Sequence, residues 1–136
     1  MTDRFELHPQ LAKDTHPVGQ TDLCEVLLSR DARYPWLILV PRQAGLREMH
    51  DMSNADQMRL MTDITHISKA MQKVWQADKV NVAALGNMVP QLHIHIIMRY
   101  RDDAAWPGPI WGVGAAQHYS DAALTDALTR AASCLP

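Results

Sequence analysis

The sequence predicts an α+β fold, a mostly antiparallel sheet packed by one long helix with a second helix near the C-terminal end. Three observations carry this. Apolar runs rich in β-branched residues fall in two groups, one on each side of a long helical pattern. The first group is divided by a turn short enough for a hairpin. No Gly-x-Gly-x-x-Gly follows a predicted strand and no P-loop is present, so a doubly wound dinucleotide-binding sheet is not indicated.

The elements follow in order. Residues 1–20 carry charge, Pro9 and Pro17, and a weak apolar pattern; a short helix around 8–13 is expected, then a loop. Thr21 to Arg30 contains Val26-Leu27-Leu28 and reads as a strand. Asp31 to Pro35 is a turn. Trp36-Leu37-Ile38-Leu39-Val40, closed by Pro41, is a second strand. From Ser53 to Gln76, Leu60, Ile64, Ile67, Met71 and Val74 repeat at helical spacing, and Ser53 with Asp56 resembles a capping box. Lys79 to Leu85 and Leu92 to Met98 are two further strands, with Gly86-Asn87 turning between them. Residues 101–119 are irregular, and Ser120 caps a final helix running to about Ser133.

The 136 residues are expected to form one domain, 1–136, large enough to bury a core without disulfide or metal staples. Hydrophobic residues make up 47% and charged residues 21%, which excludes disorder and collagen. With 13 Lys+Arg against 15 Asp+Glu, no general attraction to nucleic acid or to an anionic membrane is expected. Cys24 and Cys134 are too few for a disulfide framework and fit no zinc spacing, so reduced thiols in a cytoplasmic protein are expected. The start of the chain has no apolar leader core, and no apolar run is long enough to span a bilayer.

The chemistry concentrates in Gln91-Leu92-His93-Ile94-His95-Ile96-Ile97. On a strand, alternate residues share a face, so Gln91, His93 and His95 stand in a row with neighbours roughly 6–7 Å apart. Leu92, Ile94, Ile96 and Met98 take the other face, under the helix. Two imidazoles beside an amide favour a site over a pair of structural histidines. A neutral imidazole nitrogen can act as base or nucleophile at phosphorus while its neighbour binds the oxygens. A His-x-His metal site is the competing use, but a catalytic zinc site wants a third protein ligand. His50, His66 and His118 show no ligand spacing, and His66 is expected to be solvated.

Gly86-Asn87-Met88-Val89-Pro90-Gln91-Leu92-His93-Ile94-His95-Ile96-Ile97 resembles the signature of the histidine triad superfamily. That signature is a Gly-Gln-x-Val-x stretch followed by three histidines alternating with apolar residues. The hairpin from Arg30-Asp31 to Pro41, the long helix and Trp106-Pro107-Gly108-Pro109 extend the resemblance over about residues 22–112. It implies the family's α+β fold and a homodimer with a sheet continuous across the two-fold axis. It also implies a nucleotide substrate, hydrolysed or transferred at the α-phosphate of nucleoside phosphoramidates or dinucleoside polyphosphates.

By the same resemblance His93 is the nucleophile, forming a nucleotidyl-histidine, and His95 contacts phosphate oxygens or the leaving group. Gln91 occupies the first triad position, where the family has histidine. Asn87 stands at the family's Gln position, and Asp31 matches the aspartate that holds the ribose. No cofactor is implied and no metal is needed for the attack, because Gln91, His95, Asn87 and backbone amides can share the phosphate charge. Two alternatives stay open. One is a nucleotide-binding module with weak or lost turnover, since Gln91 carries no proton at neutral pH. The other is a metal-binding protein using His93 and His95. Elsewhere, Arg33, Arg42, Arg47, Arg99 and Arg101 read as solvated charges, Asp102 and Asp103 as a turn, and Trp106 and Trp111 as loop aromatics packed near the site or across a dimer.

Overall fold

The computed structural model describes residues 4–136; the first three positions of the N-terminal stretch read above lie outside it. Five strands form one sheet: β1 (Thr15–Gln20), β2 (Cys24–Ser29), β3 (Trp36–Pro41), β4 (Lys79–Ala83) and β5 (Ile94–Arg99). Their order is β1-β2-β3-β5-β4, and every neighbouring pair is antiparallel. Among the described residues three α-helices, α1 (Pro9–Asp14), α2 (Asn54–Trp75) and α3 (Asp121–Ser133), and a 3-10 turn at Met49–Asp51 accompany the sheet. The α+β class and the β2–β3 hairpin are as expected.

Strand β1 corrects the reading of that segment as a loop. Its sequence, Thr-His-Pro-Val-Gly-Gln, has no apolar alternation, and it pairs only with β2, with a register shift between Pro17 and Gly19. An edge strand tolerates a proline and a bulge because half of its backbone groups need no partner.

Alternation in the inner strands divides the core. Val26, Leu28, Leu37, Leu39, Ile94, Ile96 and Met98 point to one face and pack against Leu60, Ile64, Ile67 and Met71 of α2. Each such side chain contributes roughly 1.5–3 kcal/mol of burial. Helix α2 starts where Ser53 Oγ accepts from Asp56 N at 3.1 Å. The carboxylate of Asp56 bonds Gln43 and Arg59 rather than closing the box onto Ser53. The helix ends at Gln76, in the left-handed region with φ 51°. His66 is exposed on it, as expected.

The opposite face of the sheet is covered from two sides. Phe5, Leu7 and Leu11 lie over Leu27, Ile38 and Val40. The 101–113 loop brings Ile110 onto Tyr34 and Ile97. Between these covers the sheet is open, and His93 and His95 form the floor of the gap.

Arg99 corrects its reading as a solvated strand-end charge. It is 1% exposed, and its guanidinium bonds Asp103 at 2.7 and 3.0 Å, Asn81 Oδ1 at 2.9 Å and the Gly108 carbonyl at 2.8 Å. Asp103 also accepts from the N–H groups of Tyr100, Ala105 and Trp106, so this turn is a buried polar hub that shapes the loop. Arg33 and Arg42 are also committed, the first to Asp31 and the second to three backbone carbonyls.

Candidate active site

The gap is a cleft of about 450 Å3 with a mainly apolar lining, a size that suits a small ligand. β5 lies between β3 and β4, which sets His95 opposite Ile38 on one side and Ala83 on the other. His93 precedes the strand proper and shares its face. The two imidazole centroids are 4.9 Å apart at 71°, and the residues are 7% and 6% exposed. Gly86, with φ +77°, turns the chain after β4 so that Asn87, Met88 and Val89 rim the cleft.

Each imidazole has its Nδ1 committed, in opposite senses. His93 Nδ1 lies 2.7 Å from the Gln91 carbonyl. A carbonyl only accepts, so that nitrogen carries the proton and Nε2 keeps its lone pair. The indole N–H of Trp36 donates to His95 Nδ1 at 3.0 Å, which puts the His95 proton on Nε2. Burial, together with the neighbouring His93, pushes the His95 pKa down to about 4. The cleft therefore offers one nucleophilic nitrogen beside one neutral N–H donor. Trp111 stands edge-on to both His95 and Trp36, with centroids 5.3 and 6.4 Å away. Trp106 instead lies over the Arg99 guanidinium.

The structure brings His93, His95 and Asn87 to one cleft. Gln91 lines a neighbouring depression that it shares with His93, and Asp31 lines neither. The amide oxygen of Gln91 accepts from His8 N at 2.9 Å, and its nitrogen donates to the Glu6 carbonyl at 2.9 Å. Both polar atoms are thus tied to the N-terminal segment, and Gln91 fastens one wall of the cleft. Asp31 does not line the cleft. Its carboxylate bonds Arg33 at 2.9–3.2 Å and accepts from Gln117 N. Burial opposes its ionisation, but the Arg33 contacts prevail and hold the carboxyl below its ordinary value.

Ser29, two residues earlier on β2, and Asp14 at the end of α1 are the polar groups at that end of the cleft. Neither has a sequence signal beyond its place beside a strand end. Trp36 was legible only as a strand aromatic. Among the described residues, no group of three or more His, Cys, Asp and Glu side chains could hold a metal ion. A larger depression of about 630 Å3 lies between the β1–β2 turn and α2. Thr21 and Asp63 in it are bonded to each other at 2.6 Å, and no histidine lines it.

The comparisons agree with this fold. A family model described as the HIT domain matches residues 10–102. A histidine triad protein from Marinobacter aquaeolei is 45% identical with a TM-score of 0.95, over 98% of this chain and 97% of that one. One from Bradyrhizobium japonicum is 40% identical with a TM-score of 0.96, over 98% and 100%. One from Sinorhizobium meliloti is 37% identical with a TM-score of 0.93, over 96% and 97%. No curated protein sequence matches the chain. Since the matched span carries both histidines and all five strands, the chain belongs to the histidine triad family.

Proposed function

We propose that the protein binds a nucleotide in the His93–His95 cleft and cleaves it at the α-phosphorus through a nucleotidyl-His93 intermediate. The observation that carries this reading is the opposite hydrogen bonding of the two Nδ1 atoms, His93 Nδ1 to a carbonyl and His95 Nδ1 to an indole N–H. His93 Nε2 has a free lone pair, and the Gln91 carbonyl on Nδ1 stabilises the positive charge the ring acquires when Nε2 bonds phosphorus. His95 Nε2–H and the Asn87 amide are donors for the phosphate oxygens. Trp36, Leu11, Ile38 and Val89 supply apolar surface for a base, and Ser29 and Asp14 supply polar groups for a sugar. Water then cleaves the P–N bond and releases the nucleoside monophosphate.

The alternative of binding without turnover draws on Gln91, whose amide does not titrate and is bonded through both polar atoms to the backbone at Glu6 and His8. Trapping separates the two readings. Acid-free quenching of protein mixed with a radiolabelled dinucleoside polyphosphate is expected to leave label on His93, stable to base and labile to acid. Tight monophosphate binding with no trapped label would favour the alternative.

The family resemblance also leads us to propose a homodimer paired through β4. The β1 edge is interrupted by Pro17 and its bulge, whereas β4 ends the sheet with an open side. Val82, Leu85 and Met88 are 47%, 50% and 95% exposed on and beside it. Light scattering at micromolar concentration is expected to give twice the 15.3 kDa of one chain; the single-chain mass would reject pairing.

A further inference from the structure

We infer that the site turns over nucleotides whose leaving group departs as a stable anion, a phosphate, polyphosphate or carboxylate, and that Trp36 is the positioning residue imposing this choice. The inference rests on the nucleotidyl-His93 reading and narrows its substrate class. It follows from counting what can deliver a proton to a departing atom.

In the attack, His93 Nε2 bonds phosphorus while the bond to the leaving group breaks, and the bonding pair leaves with that group. A phosphate or carboxylate oxygen carries the pair as an anion. An amine leaves only after its nitrogen has gained a proton, which an enzyme supplies from an adjacent acid. Water then adds hydroxyl to phosphorus, breaks the P–N bond and gives its other proton to solvent, restoring the His93 lone pair.

Neither flank of His93 supplies that acid. Gln91 has no titrating proton, and both of its amide atoms are bonded to the backbone at Glu6 and His8. His95 could act only as an imidazolium, with hydrogens on both nitrogens. An Nδ1–H would face the Trp36 indole N–H across 3.0 Å, donor against donor. Trp36 has no second tautomer with which to accept, so this contact holds only for neutral His95. As a neutral Nε2–H, His95 strengthens hydrogen bonds to oxygen and stabilises a departing anion without surrendering its proton.

The groups facing His95 reinforce this. They are His93 on its own chain segment, Trp36 from β3, Trp111 from the loop and, at the cleft mouth, Asp14 of α1. The Asp14 carboxylate accepts from Gln10 Nε2 at 2.9 Å through both oxygens. The low pKa of His95 agrees with the same geometry.

The test compares a dinucleoside polyphosphate with an alkylamine nucleoside phosphoramidate, with nitrogen-15 NMR of His95 in the full chain. Wild type is expected to favour the polyphosphate in kcat/KM by about a hundredfold or more, the usual scale of a missing general acid. His95 should appear as the Nε2–H tautomer and stay neutral through pH 5. Trp36→Phe should let His95 titrate nearer neutrality and reduce the preference by about tenfold, the amine substrate gaining most at acid pH. Equal turnover of both substrates by wild type, or an Nδ1–H or charged His95 at pH 7, overturns the inference and leaves the nucleotide reading standing. No turnover of either, with no adduct on His93, overturns both. The tautomer and the substrate ratio of wild type decide the matter even if Trp36→Phe fails to fold.

Discussion

His93→Ala is expected to lower kcat/KM by at least about a thousandfold, the scale of losing a covalent nucleophile. The fold should survive. His93 lies at the floor of an open cleft, and its side chain makes one hydrogen bond, to the carbonyl two residues before it. Truncation widens the cleft and leaves no buried group without a partner, because the freed Gln91 carbonyl faces that space. Far-UV circular dichroism and the unfolding midpoint should therefore stay near wild type while the rate falls. Nucleotide affinity should change little, since Asn87, His95 and the apolar walls remain. Added imidazole, small enough to occupy the vacated volume, should restore part of the activity. A folded variant with near wild-type turnover would place the nucleophile elsewhere.

Asp103→Ala should have the largest effect on stability, a loss of about 3–5 kcal/mol, the range for breaking a buried ion pair from one side. Arg99 would keep its charge at 1% exposure with only Asn81 and Gly108 left to bond, and the N–H groups of Tyr100, Ala105 and Trp106 would lose their acceptor. Burial alone would raise the Asp103 pKa; Arg99 and those three N–H groups pull it down to about 2 instead. Its folded value is below its unfolded one, so this contribution is present above pH ~4 and is lost as pH falls towards 2. The variant should unfold at lower urea concentration at pH 7, with tryptophan emission showing Trp106 and Trp111 released. Adding Arg99→Met should recover part of the loss by removing the stranded charge. A midpoint unchanged by Asp103→Ala would show that the loop is held by its apolar contacts alone.

Most of the sheet and both long helices were legible because their residues follow one period and the two faces differ in polarity. The β2–β3 hairpin, α2 and α3 needed only apolar spacing and Ser caps. β1 was not legible, since an edge strand is selected for pairing with β2 and carries no apolar stripe of its own. His93 and His95 were legible because alternation on an apolar strand makes two polar side chains conspicuous. The work of Gln91 was not, because its partners are backbone atoms more than eighty residues away in sequence. Asp31 fitted the family pattern by position, but Arg33, two residues on, takes its carboxylate. Arg99 read as a surface charge because nothing local shows that Asp103, Asn81 and a loop carbonyl converge on it. Side-chain partnerships of this kind, near or far in sequence, arise from packing, and one-dimensional periodicity does not encode them.

The position of β5 bears on how the molecule is made. It is the last strand in the chain, yet it lies between β3 and β4. As the polypeptide leaves the ribosome, β1, β2 and β3 can assemble first as a meander. Until residues 94–99 emerge, the outer side of β3 is an unpaired edge carrying Trp36, Leu37, Ile38 and Leu39, the kind of edge that recruits other chains. β4 meanwhile has no neighbour at all. The segment that closes the sheet also delivers His93 and His95. A nascent or truncated chain ending before residue 93 therefore lacks both the reactive centre and the protection of its stickiest strand, and is the species expected to aggregate or to need a chaperone.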